Sequence, residues 1–595
     1  MKCFMVESLF QETTGLFTDI FQNYSVFFTD THYESMFTAF ESPWGTQLYE
    51  QVRNESSNAV LGAFGTMMLA YGDARVSDLM ESVDPRSQGF LNRLVGLLDA
   101  EGYLVGEDTI FVPALEFWLT FAETMVDSTF SNEGEVPPWR PYADGHLKNV
   151  VINSWKKIRW PPAEVFADWD LDERAGFNDA RKDVADLLQS IFTLSGVTLV
   201  SFFVDLFLQS LQNKSWPEVE ASLFCLSALS DCVTDEPKYD NELGRIFSAS
   251  FFELLSETQG PIPLRLRQTG LSLVGRCCEY FDRHSEYLPH ALNLLFAAVG
   301  DPVLGSSSAR SISTLCSSCR TVLTGETEAF IRQYQTIRNG QTLDSIAEEK
   351  ILHAIGSIIQ AIPDEELRLS MFEALYNFLK QDVERATRLK SLPGILNLAD
   401  PNFSRGLDNW NSPQPVPPHD EIAQGIALRA LRCLASLAKG MRDTRGKVVE
   451  LELDSALNPR EGRLAVIQAD IIGLMAGAQQ TFSASGEVVE AICNIFRAGF
   501  SETEPGPFVF PADAVTDFYM QQSLATPRLG TLLSSVCSFV GFLLRAPQAL
   551  APGYLSRLLP WVVSILQALP GMFASAEATY SLTMRQNPRV TQKLP

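Results

Sequence analysis

At 595 residues the chain is too long for one compact core, so it must form several domains or one elongated array. An apolar content of 46% with 20% charged residues is that of a folded chain and argues against general disorder. A formal net charge of −26 disfavours direct binding to nucleic acid or anionic membrane, and favours basic protein partners drawn in by long-range attraction.

Along the chain, apolar residues recur at three and four positions almost everywhere and strand-like alternation is rare. The opening MKCFMVESLFQETTG has no signal-peptide layout, because Glu7 and Gln11 interrupt any apolar core. VPALEFWLTFAETMVD (112–127) reads as a helix, followed by a loop at 131–145 rich in Pro, Gly, Asn and Asp. The most membrane-like run, 191–211, is interrupted by Asp205 and several hydroxyls and falls short of the roughly 18 apolar residues that a spanning helix needs; a buried helix pair is expected there. In NKSWPEVEASLFCLSALSD (213–231), Ser215 and Glu218 fit a capping box and Pro217 falls in the first turn, where no helical N–H bond is lost. Val219, Leu223 and Leu226 form one apolar stripe of that helix, and Ala221, Cys225 and Ala228 a second. Short breaks at 258–263 and 300–308 precede helices at 351–362 and 367–386. A Pro- and Asn-rich inter-repeat loop spans 398–420, a helix covers 426–441, and a last break falls at 545–553.

Helices with two apolar faces must touch neighbours on both sides, as stacked hairpins require. Helix, short turn and helix, repeated roughly every 40 residues, is the layout of an all-α HEAT or armadillo solenoid, a superhelix of about 13 or 14 antiparallel hairpins. The expected organisation is one array over 1–397, the loop at 398–420, and a second array over 421–595. The rival is two or three unrelated helical domains.

No catalytic chemistry is legible: there is no Gly-x-Ser-x-Gly elbow, phosphate loop or His-Glu-x-x-His pair, and the six histidines are dispersed. Cys316 and Cys319 form CSSC, but the upstream Cys277 and Cys278 are adjacent rather than spaced. Buried thiols of a reducing compartment are therefore expected, with no metal and no cofactor. The acidic stretch 164–186 carries Glu164, Asp168, Asp170, Asp172, Glu173 and Asp179 with Trp169 and Phe177 interleaved. On an inner face, Asp168, Asp170, Asp172 and Glu173 would hold a basic segment by ion pairs, with the aromatics stacking on Lys or Arg; the plainer reading is a solvated loop before a helix. The stretch 426–447 is locally basic, with Arg429 and Arg432 on neighbouring parts of one helix face. Lys439, Arg442, Arg445 and Lys447 extend the charge past its end, and a favourable helix-dipole interaction is the plainer account of them.

Five segments, in order, carry a resemblance. FVPALEFWLTFAETM (111–125), FNDARKDVADLLQSI (177–191), SWPEVEASLFCLSALSD (215–231), the segment 264–299 and ARSISTLCSSCRTVL (309–323) resemble the transportin 3 and importin 13 branch of the importin-β superfamily. The resemblance is clear over about 60–390 and fainter to about 545. It implies a nuclear transport receptor of HEAT hairpins that holds protein cargo on its inner face and shuttles between cytoplasm and nucleus. Ran-GTP would control loading, Phe-Gly nucleoporins would bind between outer helices, and no direct nucleic-acid contact or membrane insertion is expected of what would be a monomer. The N-terminal repeats that form the main Ran-GTP site, and the last repeats, are expected to be missing. Arg429 and Arg432 align with the helix by which that branch recognises phosphorylated Arg-Ser cargo, with Arg442 and Arg445 extending the cargo surface; Ile426 and Ser436 stand where the pattern has further arginines. The alternative is a cytosolic helical scaffold or adaptor without Ran-dependent transport.

Overall fold

The computed structural model describes residues 4, 7–55, 57–104, 106–131, 136–256, 262–340, 343–391, 419–442, 462–500, 506–522, 526–544 and 552–567. These residues are overwhelmingly helical, with one isolated β-bridge between Leu104 and Asp108. The fold is an α-solenoid of antiparallel hairpins, and it falls into two units, Met1–Leu294 and Leu295–Pro595.

In the first unit the helix Trp216–Val233 lies between Val197–Gln212 and Leu264–Arg276. Val219, Leu223 and Leu226 are buried, and so are Ala221, Cys225 and Ala228, so both expected faces are covered. Each Val or Leu removed from water contributes roughly 1.5–3 kcal/mol. Ser215 stands at the N-cap, but its side chain makes no capping hydrogen bond. Glu218 turns instead to Arg159, 3.1 Å away on the preceding hairpin, so the expected capping box does not form. The apolar run at 191–211 divides between two helices, Leu171–Ser195 and Val197–Gln212. Gly196 joins them in a left-handed conformation (φ 50°) that a residue with a Cβ adopts only at a cost. No helix among the described residues is long and apolar enough to cross a membrane. The loop expected at 131–145 is shorter than its composition suggested. The next helix already begins at Arg140, with Pro141 in its first turn, where the missing N–H has no helical partner to lose.

In the second unit Gly305–Ser318, Ser345–Gln360, His419–Gly440, Gly486–Phe500 and Leu529–Leu544 pack successively against one another. Glu365–Ser391 and Arg463–Thr481 pair in a second row. The contact that seats His419–Gly440 is made by glycines. A Cβ on Gly356 would lie 2.8 Å from the Leu437 carbonyl oxygen, and one on Gly440 would run into the His353 carbonyl. Replacing Gly440 with alanine forces two backbones apart and is expected to destabilise this unit by about 1–3 kcal/mol. Urea unfolding of the Gly440→Ala protein checks this, with Gly473→Ala, where a Cβ meets nothing within 4 Å, as the tolerated control.

Candidate functional site

The acidic segment of the first unit folds as a short helix, Ala163–Asp168, followed by Leu171–Ser195. Asp170 caps the second helix: its carboxylate accepts from the Glu173 amide at 2.8 Å, and the Glu173 carboxylate accepts from the Asp170 amide at 2.9 Å. Two of the four expected partner-binding carboxylates therefore hold the helix start, where they also complement its dipole. Asp168 and Asp172 are exposed. Phe177 is buried and Trp169 half-buried, packed with Trp160 and Phe166 in one aromatic cluster. The chain's own cations stack on this cluster: Arg174 over Phe166 at 5.4 Å, Arg181 over Trp160 at 5.0 Å, and Arg265 over Trp160 at 3.6 Å. The aromatics expected to receive a partner's Lys or Arg thus already stack on internal arginines.

Behind the cluster sits a buried ion pair. Arg181 donates to both Glu220 oxygens at 2.8 and 3.0 Å and to the Ile158 carbonyl at 2.6 Å, and Thr269 donates to Glu220 at 2.8 Å. This joins three successive hairpins across a water-poor layer.

The basic helix of the second unit separates its two arginines. Arg429 is turned inward: Nε donates to Glu348 at 2.5 Å and Nη2 to the Leu343 carbonyl at 2.8 Å. Glu348 is 1% exposed and also accepts from the Tyr334 hydroxyl at 2.7 Å. Arg338 donates to that hydroxyl at 3.3 Å and pairs with Asp382 at 2.8 Å. Arg429 is thus the end of a polar network that ties four helices and does not stand on the open face. Arg432 is exposed on the same helix, as is Lys439, and Lys350 is exposed on the adjacent Ser345–Gln360 helix. Arg442 is half-buried, its carbonyl accepting from Arg320 at 3.2 Å. Arg445 lies outside the described residues. Burial raises the Glu349 carboxyl above its ordinary pKa, against the opposite pull of Arg432, Lys439, Lys350 and Arg429. Lys350 was missed by sequence reasoning because it sits 82 positions before Arg432, and only the helix stacking brings the two together.

His353 lies beneath this face, with Nδ1 2.9 Å from the Ser313 hydroxyl. Burial lowers its pKa to about 4, helped by the positive charges of Lys350, Lys439, Arg320 and Arg442. The imidazole is therefore neutral in the folded state well below the pH at which the unfolded chain takes up a proton. Stability from this site is complete above about pH 6.5 and falls by about 1.4 kcal/mol per pH unit between there and pH 4. The His353→Gln protein is expected to lose this slope, measured as the wild-type minus variant difference in urea-unfolding free energy from pH 7.5 to 5.

Cys277, Cys316 and Cys319 are buried, and burial pushes the Cys277 and Cys316 thiols far above the ordinary range. Among the described residues no group of three or more His, Cys, Asp or Glu side chains could hold a metal ion.

Residues 257–332 match the family model described as the transportin-3/importin-13 third TPR domain. The chain is 24% identical over 538 residues to the importin beta-like protein kap111 of Schizosaccharomyces pombe, covering 89% of this chain and 51% of that protein. It is 21% identical over 468 residues to importin-13 of Bos taurus, covering 76% and 44% respectively. Among solved structures, importin-13 in its cytosolic state superposes with a TM-score of 0.64 at 13% identity, over 91% of this chain and 60% of that one. A crystal structure of importin beta gives 0.51 at 14% identity, over 97% and 68%. The chain spans about half the length of the curated relatives it matches.

Proposed function

We propose, from its similarity to the karyopherins of the importin-13/transportin-3 branch, that the chain is a nuclear transport receptor rather than an enzyme. It would carry protein cargo through the nuclear pore under Ran-GTP control. The observation that supports this reading is the packing of helical hairpins within each unit, together with sequence similarity to importin-13 over three quarters of the chain. In such an array each repeat contacts only its neighbours, so small rotations sum to a change in pitch that can open or close on cargo.

Cargo contact in the second unit falls to Arg432 and Lys439, joined by Lys350, while Arg429 positions the helix that presents them. A patch of three exposed cations in an acidic protein suits an acidic or phosphorylated segment of the cargo. Substituting Arg432→Gln together with Lys439→Gln is expected to weaken such cargo by roughly tenfold or more, with a change in stability of less than about 1 kcal/mol. The immobilised protein is incubated with cytosolic extract, and retained proteins are compared with and without Ran-GTP. Cargo released or loaded by Ran-GTP, and lost from the double variant, is the expected result. A set of retained partners indifferent to Ran-GTP would favour a scaffold instead.

A further inference from the structure

The exposed cations of the second unit belong to a longer row. Three successive helices, Gly305–Ser318, Ser345–Gln360 and His419–Gly440, stack in one register. Ser313 meets His353 at 2.9 Å, Ser317 meets Ser357 at 3.0 Å and Arg320 donates to Gln360 at 3.2 Å, each pair 40 positions apart. One turn nearer the helix starts, the same offset sets Arg310 against Lys350. On the next step Arg429 meets Glu348 and a Cβ on Gly356 would meet Leu437, both at an offset of 81. Arg432 therefore falls beside the position opposite Lys350. Arg310, Lys350 and Arg432 are exposed, one on each helix, and none has a carboxylate in ion-pair range among the described residues. Elsewhere a stacking step brings opposite charges together, as in Arg245 with Asp205 at 2.5 Å and Arg283 with Asp240 at 2.6 Å. Here it sets cation beside cation in a chain of net charge −26. Like charges on neighbouring helices repel, so the row gains from anions laid along it.

Stacked helices lie about 8–10 Å apart, which sets the step of the row. The screening length at physiological salt is about 8 Å, so each cation senses chiefly the anion opposite it and not the total charge of a ligand. A β-strand returns side chains to one face about every 6.7 Å, too short a step. A polyproline-type extended segment returns them at every third residue, about every 9 Å, and fits. A helix fits at every seventh residue, about 10.5 Å, but it rests on an apolar stripe. The open strip beside these cations carries hydroxyls instead, among them Thr314 and Ser436. An extended segment leaves its backbone N–H and C=O groups free, and such hydroxyls can meet them. We propose that Arg310, Lys350 and Arg432 form a ladder that holds an extended partner segment with an anionic side chain, carboxylate or phosphate, at every third residue. The segment crosses the three helices along their stacking direction, one anion to each cation, and Lys439 meets a flanking charge. This rests on the cargo role proposed for Arg432 and Lys439, and adds the register of the cargo segment.

The test uses the full chain and short fluorescein-labelled peptides of alanine and proline carrying three phosphoserines, read by anisotropy at about 0.15 M salt. The phosphoserines stand at every third position in one peptide and are consecutive, alternate or seven apart in the others. The every-third peptide is expected to bind about fivefold tighter than the rest. Arg310→Gln and Lys350→Gln should each weaken it by about threefold to fivefold, and the two together by about tenfold. Circular-dichroism melts matching wild type confirm that the variants are folded. The same register preference with glutamates in place of phosphoserines assigns the ladder to carboxylates, and its loss with glutamates assigns it to phosphates. The proposal is overturned if no peptide binds, if another spacing binds as tightly, or if both single variants bind like wild type. The assay contains neither Ran nor pore proteins, so its failure leaves the Ran-dependence of retained cargo standing, and the reverse.

Discussion

Replacing Glu220 with alanine is expected to destabilise the first unit by about 3–5 kcal/mol, the cost of stranding one partner of a buried ion pair. Both side chains are at most 5% exposed. Removal of Glu220 leaves the Arg181 guanidinium with one carbonyl and three aromatic faces, those of Trp160, Phe177 and Phe224. Thr269 also loses its acceptor. Cation–π contacts return only part of this, about 0.5–2 kcal/mol each. Replacing both partners together, Arg181→Met with Glu220→Leu, is expected to be far milder than either single change, since no charge is then left buried. The exposed pair Lys182–Asp179 supplies the control: Lys182→Ala should change stability by less than about 1 kcal/mol. Hydrogen exchange over residues 163–276 is the suitable readout, because a chain of two units need not unfold in one step.

Arg429→Ala is expected to act on the second unit in the same way, by about 3 kcal/mol or more. It removes the guanidinium from Glu348, which is 1% exposed and also accepts from the Tyr334 hydroxyl, and it frees the Leu343 carbonyl. The helix His419–Gly440 then loses the Arg429–Glu348 tie to Ser345–Gln360, while the Gly356–Gly440 contact remains. Exchange should accelerate across 327–360 and 419–440 together. Arg432→Ala, one helical turn away and exposed, should leave exchange unchanged. If Arg429→Ala instead lowered cargo affinity with exchange unaltered, the residue would belong to the binding surface after all.

The class of fold was legible because two apolar stripes on one helix have few other uses, as the helix Trp216–Val233 illustrates. The repeat itself was not legible. What recurs is a tie in space, about 40 residues apart, made each time by a different pair: Arg86 to Glu41, Arg245 to Asp205, Arg283 to Asp240, Arg320 to Gln360. Geometry repeats while residue type does not, so no sequence period shows. The candidate surfaces were half legible for a related reason. Spacing put Arg429 and Arg432 near one another but could not say which of them faced inward, since Glu348 decides that from 81 residues away. The pattern Asp170-x-x-Glu173 carries a helix-start signal, which fits the plainer reading of this stretch as a segment leading into a helix. Nothing local marked Trp160 and Arg265 as neighbours, because only hairpin stacking joins them.

As the proposed transport receptor, this chain would move through nuclear pores. The direct measurement is nuclear entry of the fluorescently labelled 66.0 kDa protein in permeabilised cells, with and without Ran and an energy supply. The expected result is binding at the nuclear rim and entry within minutes, far faster than an inert globular protein of equal mass, with interior accumulation altered by Ran-GTP. Exclusion equal to that of the inert protein, with no rim binding, would contradict it.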